Sequence, residues 1–312
     1  MDSEKTMEVI AKARPNLRDI SIKQYEINLR KLKSLFDTDN YNFLKSPADV
    51  KEKVKDLHYT TQRNMYNAII VLLMALDVDK KRQKTIEKYS LMRDELNQRY
   101  ADENANGVIS EKQKPNFAKM EEIDEMIDKL RKEVLPLKKK ARLTKKDISI
   151  LRAYVVFSML KRLPTRNDMA NMLYISQTSY KNLTNEEKES DNYLVDERGN
   201  MKFIYNMYKT SKKYGENVIP APADLKPIMR MYLKMMDYKH GDNILPMTRN
   251  ALSQLLLKQS FRLIGKKISS TMMRKIFLSD KYGEMKEEME KDAKIMMHDK
   301  GTAQAVYVKT DD

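Results

Sequence analysis

Five side chains in the second half of the chain have the types and the order to handle a phosphate. Arg166 sits in LPTRNDM, and Lys209 sits in YNMYKTSKKYGENVIP at the tip of a predicted hairpin. Arg274 lies in ISSTMMRKIFLS. His298 follows it 24 residues later in DAKIMMHDKGTAQAVY, and Tyr307 stands nine residues beyond His298. Guanidiniums are planar, permanently charged forks that match phosphate oxygens. Ammonium and imidazole groups move protons, and a tyrosine hydroxyl forms covalent intermediates. Singly, each residue has a plain reading. Tyr307 is one of 17 tyrosines, Arg274 suits an amphipathic helix surface, and a lone His298 suits a solvated one. Lys209 competes with Lys212 and Lys213 in the same turn, and Asp168 either orients Arg166 or completes a helix cap. The joint order and spacing carry the information.

That ordered set resembles the tyrosine recombinase (phage-type integrase) family. The family pattern is an arginine at a helix start, a lysine on a β-hairpin turn and a His-x-x-Arg. A later His or Trp follows, with a tyrosine nine residues beyond. The stretch SIKQYEINLRKLKSLF is similar to the family's helical core-binding domain. The resemblance covers residues 16–80 loosely and 144–307 well. It implies that Tyr307 attacks the scissile phosphorus, that Arg166 and Arg274 clamp the non-bridging oxygens, and that Lys209 protonates the departing 5′ oxygen. His298 adds a hydrogen bond or manages the tyrosine proton. Each phosphodiester is exchanged for an ester of similar energy, so the resemblance implies neither ATP, metal nor other cofactor. Two departures stand out. The His-x-x-Arg reads Thr271-Met272-Met273-Arg274, and a threonine hydroxyl can donate to a phosphate but cannot act as an imidazole base. The usual Leu-Gly-His reads Met296-Met297-His298.

These residues need elements to position them. Residues 1–82 read as a small helical, DNA-binding domain. Ile20, Tyr25, Ile27, Leu29, Leu32, Leu35 and Phe36 fall mostly at helical spacing, with Ser21 a candidate cap. Pro47 opens a second helix, and Thr60 or Thr61 caps a third. Residues 83–143 read as a charged insertion or linker. In it Met120, Ile123, Ile127, Leu130, Val134 and Leu137 step by three and four, the seam of a coiled coil. A hairpin with the weaker stripe Ile86–Leu96, a contact with another protomer, or a bare amphipathic linker all fit. Residues 144–312 read as the catalytic domain. Thr144 with Asp147, and Thr165 with Asp168, have capping-box spacing, which puts Arg166 in the first turn of a helix. Tyr193–Val195, Lys202–Met207 and Asn217–Ile219 then alternate like strands, separated by the turns ERGN and SKKYG. The expected fold is mainly α with a small antiparallel β-sheet (α+β).

Composition narrows the function. The chain has 312 residues, 60 Lys and Arg against 45 Asp and Glu, and no cysteine. A disulfide framework and a thiolate metal site are excluded, and three scattered histidines do not suggest a zinc site. The longest apolar run, Ala68–Leu76, is far short of the ~20 residues a membrane helix needs. The net charge of +15 is spread along the chain as +4 over 1–82, +3 over 83–145 and +8 over 146–312. That distribution points to a polyanion partner. The expectation is a site-specific recombinase or integrase of a virus or mobile element. It would act inside the cell on double-stranded DNA as a homotetramer. A relaxing topoisomerase, a telomere resolvase and a catalytically inactive DNA-binding relative are the alternatives.

Overall fold

The computed structural model describes residues 1–76, 79–105, 109, 111 and 113–295. The chain divides into two compact units, Met1–Val108 and Ile109–Asp312.

The first unit is helical: α1 (Ser3–Ala13), α2 (Asp19–Leu35), α3 (Pro47–Val54), α4 (Tyr59–Ala75) and α5 (Lys80–Ala105). Pro47 stands at the start of α3, where its missing N–H is not needed. Two expected caps are replaced. α2 begins at Asp19, ahead of Ser21, and α4 is capped by His58, whose ring nitrogen accepts from Thr60 N. Leu29, Leu32, Ile69, Leu72 and Tyr89 are fully buried and tie α2, α4 and α5 together. The Tyr89 hydroxyl donates to Leu44 O at 3.1 Å inside that core. An aromatic buried this deeply keeps its polar end satisfied.

The second unit is built around α7 (Lys145–Arg162), which buries residues on every side from Ile150 to Leu160. A helix apolar all round belongs at the centre of a domain. Its start is the expected box: Thr144 N donates to Asp147 Oδ2 at 2.9 Å and Asp147 N to Thr144 Oγ1 at 3.2 Å. α6 (Met120–Val134) lies against it and buries Ile123, Met126, Leu130 and Val134. The segment 83–143 is therefore shared. Its first part is α5, packed on α4, and its second is α6, packed on α7. The heptad stripe is covered within its own unit. α7, α12 (Arg249–Ile264) and α13 (Ser270–Ile295) supply a broader apolar surface, and Lys266 and Arg262 of that surface region pair with Glu122 and Glu133 at 2.6 and 2.8 Å.

The sheet has the order β1-β2-β3-β4: β1 (Leu173–Ser176), β2 (Asn192–Glu197), β3 (Asn200–Tyr205) and β4 (Asn217–Pro220). The fold is mainly helical with a small sheet, but the sheet is mixed, not purely antiparallel. β1 runs parallel to β2, and its four residues are too few to show alternation in sequence. Between them α8 (Gln177–Asn182) and α9 (Asn185–Ser190) make the crossover. The β2–β3 turn has Arg198 and Gly199 both at positive φ, 52° and 87°. That is the requirement of a tight hairpin turn. β3 stops at Tyr205 and not at Met207, because the Asn206 and Met207 amides turn to a side chain. The β3–β4 connection is no tight turn; it contains one helical turn, α10 (Ser211–Tyr214). α11 (Lys226–Met235) completes the unit.

Candidate phosphate-binding site

Arg166 lies in extended backbone between the end of α7 and a three-residue turn, Asn167–Met169. The expected Thr165–Asp168 capping box is not formed, and Arg166 precedes a turn instead of opening a helix. The Thr165 hydroxyl is buried without a hydrogen-bond partner. The Asp168 carboxylate has a stronger donor: Arg249 Nη2 approaches its Oδ1 at 2.9 Å. A charge-assisted bond of this kind outweighs a bond from a neutral backbone N–H.

Three arginines from separate elements converge on Asp168. Arg249 is the first residue of α12, Arg274 lies near the start of α13, and Arg166 is in the loop after α7. Burial raises the Asp168 carboxyl above its ordinary range, while Arg249, Arg166 and Arg274 act in the opposite sense. Arg274 is lowered first by burial and next by repulsion from Arg166, with Asp168 opposing both. The two guanidiniums singled out in sequence are thus close enough to repel each other. Neither has a carboxylate within ion-pair distance among the described residues. Arg274 Nη2 donates to Thr271 Oγ1 at 3.1 Å, which makes Thr271 a support for the arginine. Arg274 Nε is buried with no hydrogen-bond partner. An unpaired N–H in a native protein calls for an acceptor, and two adjacent forks without carboxylates fit an anion with several oxygens.

Lys209 is exposed in the β3–β4 connection. The base of that connection is tied to the Arg166 turn by Asn192, the first residue of β2. Its Oδ1 accepts from the Asn206 and Met207 amides, both at 2.8 Å. Its Nδ2 donates to Asp168 O at 2.7 Å and Met207 O at 3.2 Å. Beneath the turn lies Tyr205, its hydroxyl pushed up by burial and placed near the Thr165 hydroxyl. Met272 and Met273, immediately before Arg274, are buried and fix the start of α13 in the core.

The structure therefore brings Arg166, Asp168, Thr271 and Arg274 into one neighbourhood and joins the Lys209 connection to it. His298 and Tyr307 lie outside the described residues. Sequence reading missed Arg249 and Asn192. A signal for Arg249 exists: the tripeptide Thr-Arg-Asn occurs at 165–167, directly after Pro164, and again at 248–250, two residues after Pro246. Nothing local marks Asn192, whose role depends on backbone groups distant in sequence. Among the described residues no group of three or more His, Asp or Glu side chains is placed to hold a metal ion, and no helix is long and apolar enough to cross a membrane. Comparison of the chain with protein-family models, with curated proteins and with solved structures returns no match.

Proposed function

We propose that this chain is a DNA strand transferase of the tyrosine recombinase kind, a site-specific recombinase or integrase that works as a tetramer on duplex DNA. The observation that carries the reading is the convergence of Arg166 and Arg274 from distant parts of the sequence beside a buried carboxylate. Adjacent guanidiniums repel, and a fold retains such a pair where an anion offsets the repulsion. A phosphodiester fits both forks.

In the reaction the Tyr307 oxygen bonds to phosphorus as its proton passes to His298 or water. The charge that grows on the non-bridging oxygens meets Arg166 and Arg274, already in place before the step. The bond from phosphorus to the 5′ oxygen breaks with its electron pair on oxygen, and the Lys209 ammonium gives that oxygen a proton. DNA is left joined to Tyr307 through a phosphotyrosine, and the reverse sequence rejoins it to a new 5′ hydroxyl. Thr271 supports Arg274 in place of the family's imidazole, which leaves proton management to His298.

A nicked suicide duplex tests the reading, because its small 5′ fragment diffuses away and traps the intermediate. The parent protein should form an adduct that resists boiling in detergent and is destroyed by protease. Tyr307→Phe, lacking only the hydroxyl, should bind the duplex and form none. Adduct formation by Tyr307→Phe at the parent rate would place the nucleophile elsewhere, with Tyr282 the nearest alternative in sequence.

A further inference from the structure

Arg249 is not among the five residues of the sequence pattern, yet it holds the centre of the cluster. A single terminal nitrogen, Nη2, reaches two acceptors: Asp168 Oδ1 at 2.9 Å and Met207 O at 2.9 Å. One acceptor belongs to the Arg166 turn, and the other stands two residues before Lys209. The backbone behind Arg249 is fixed as well. Asn167 Nδ2 donates to Arg249 O at 3.0 Å and to Ser253 Oγ at 2.6 Å, which docks the start of α12 on the same turn. The Arg249 side chain is more than half exposed, at 57%, so its two bonds are not the by-product of core packing.

We propose that Arg249 is the positioning residue for Lys209: it locks the base of the β3–β4 connection to the Arg166 turn, so that the ammonium is aimed at the leaving oxygen of a phosphate held by Arg166 and Arg274. This rests on the strand-transfer reading above. The role assigned to Arg249 is to fasten the two segments, with Nη2 engaged by Asp168 and Met207. Pairing with Arg249 also gives the Asp168 carboxylate a partner other than the clamp, so Arg166 and Arg274 stay open to the substrate.

The step at issue is scission of the bond from phosphorus to the 5′ oxygen, during which Lys209 changes from ammonium to amine. If sulfur replaces that bridging oxygen, the thiolate leaves without a proton, and Lys209 keeps its own. The test is single-turnover adduct formation on nicked duplexes that carry oxygen or sulfur at that position. Arg249→Ala should slow the oxygen substrate about 10²-fold, the effect expected from a small misplacement of a catalytic group. On the sulfur substrate it should return to within about threefold of the parent. Lys209→Ala should share this pattern, and Arg166→Ala should be slow on both substrates. Arg249→Ala slow on both, or normal on both, overturns the proposal. Amide hydrogen exchange at residues 206–210 is a second readout that needs no catalysis. Arg249→Ala should speed exchange there while the α7 amides stay protected. Unchanged exchange overturns the tie. If the parent forms no adduct with either substrate, the strand-transfer reading fails and exchange alone decides whether Arg249 fastens the connection.

Discussion

The two units differ in what some of their arginines meet. In Met1–Val108 several guanidiniums are spent on neighbours. Arg99 reaches Glu103 at 3.0 Å and covers the Tyr59 ring, Arg63 covers the Tyr100 ring, and Arg93 pairs with Asp94 at 2.8 Å. That unit has 20 Lys and Arg against 17 Asp and Glu, a net +3 that leaves +12 of the chain's +15 to Ile109–Asp312. In the second unit Arg131, Arg162 and Arg262 are also paired with carboxylates. Arg166 and Arg274 differ from those three: they crowd each other, with Asp168 already engaged by Arg249. Total charge says little about place; the proposed anion site rests on two arginines that crowd each other beside an engaged carboxylate.

Salt gives the largest test of that contrast. Duplex DNA affinity should fall about 10³-fold or more between 50 and 200 mM salt if six or more phosphates are contacted. Replacing Lys212 and Lys213 by Ala should reduce the slope of log affinity against log salt by about one each, and Arg99→Ala should leave it unchanged. A flat response in the parent would make the surplus charge incidental.

The clamp comes next. Arg166→Ala and Arg274→Ala should each slow cleavage about 10²–10³-fold, the usual effect of removing one preorganised donor, with DNA affinity nearly kept. Lysine at either position should rescue little, since a point charge does not reproduce the fork. Arg63→Ala in the first unit should leave the cleavage rate of bound DNA unaltered. Parallel loss of affinity and rate in the second-unit variants would make those arginines ordinary phosphate contacts.

Stability separates the two halves of the charged middle segment. Leu130 of α6 is fully buried, whereas Leu91 of α5 is 66% exposed. Leu130→Ala should destabilise by about 2–5 kcal/mol in urea unfolding, and Leu91→Ala by less than about 0.5 kcal/mol. Similar small effects at both sites would mean that α6 is not part of the core.

Much of this was legible in the sequence. The α6 stripe, the α7 cap and the β2–β3 turn have local causes: helical spacing, a Thr-x-x-Asp box and Arg-Gly at positive φ. β1 was not legible, because four residues fix neither period nor partner. The partner of the α6 stripe was hidden as well, since an apolar seam declares that it is buried but not against what. Order in the sequence singled out Arg166 and Arg274, which the fold brings together, whereas the failed Thr165–Asp168 box shows the limit of local reasoning. Thr165 and Asp168 have the right spacing for a cap, but Arg249, far along the chain, takes the carboxylate.

The smallest effects concern the two carboxylates that are buried among the described residues of the second unit. The Thr144 backbone N–H, Lys140 and the Thr144 hydroxyl hold Asp147 down at about 2. A carboxyl depressed in the folded state adds stability above its unfolded value, and that stability is lost as pH falls towards about 2. Asp147→Asn should therefore weaken the fold at neutral pH and flatten the acid limb of its stability profile. Asp168 is raised, so its sign is reversed. The folded state binds its proton more tightly, and stability declines as pH rises through the carboxylate range. Asp168→Asn should slow cleavage without lowering the melting temperature at neutral pH. A melting temperature that drops in step with Asp147→Asn would make Asp168 a structural anchor like its counterpart.

The Asn192 bridge sets a condition on all such profiles. It joins the Arg166 turn to the Lys209 connection through amides and carbonyls alone, groups that neither titrate nor attract counterions. This part of the tie is indifferent to acidity and to ionic strength, whereas the Arg249–Asp168 pair beside it is a charged bond that acid weakens. Of the two fastenings, the neutral one should persist under conditions that loosen the charged one.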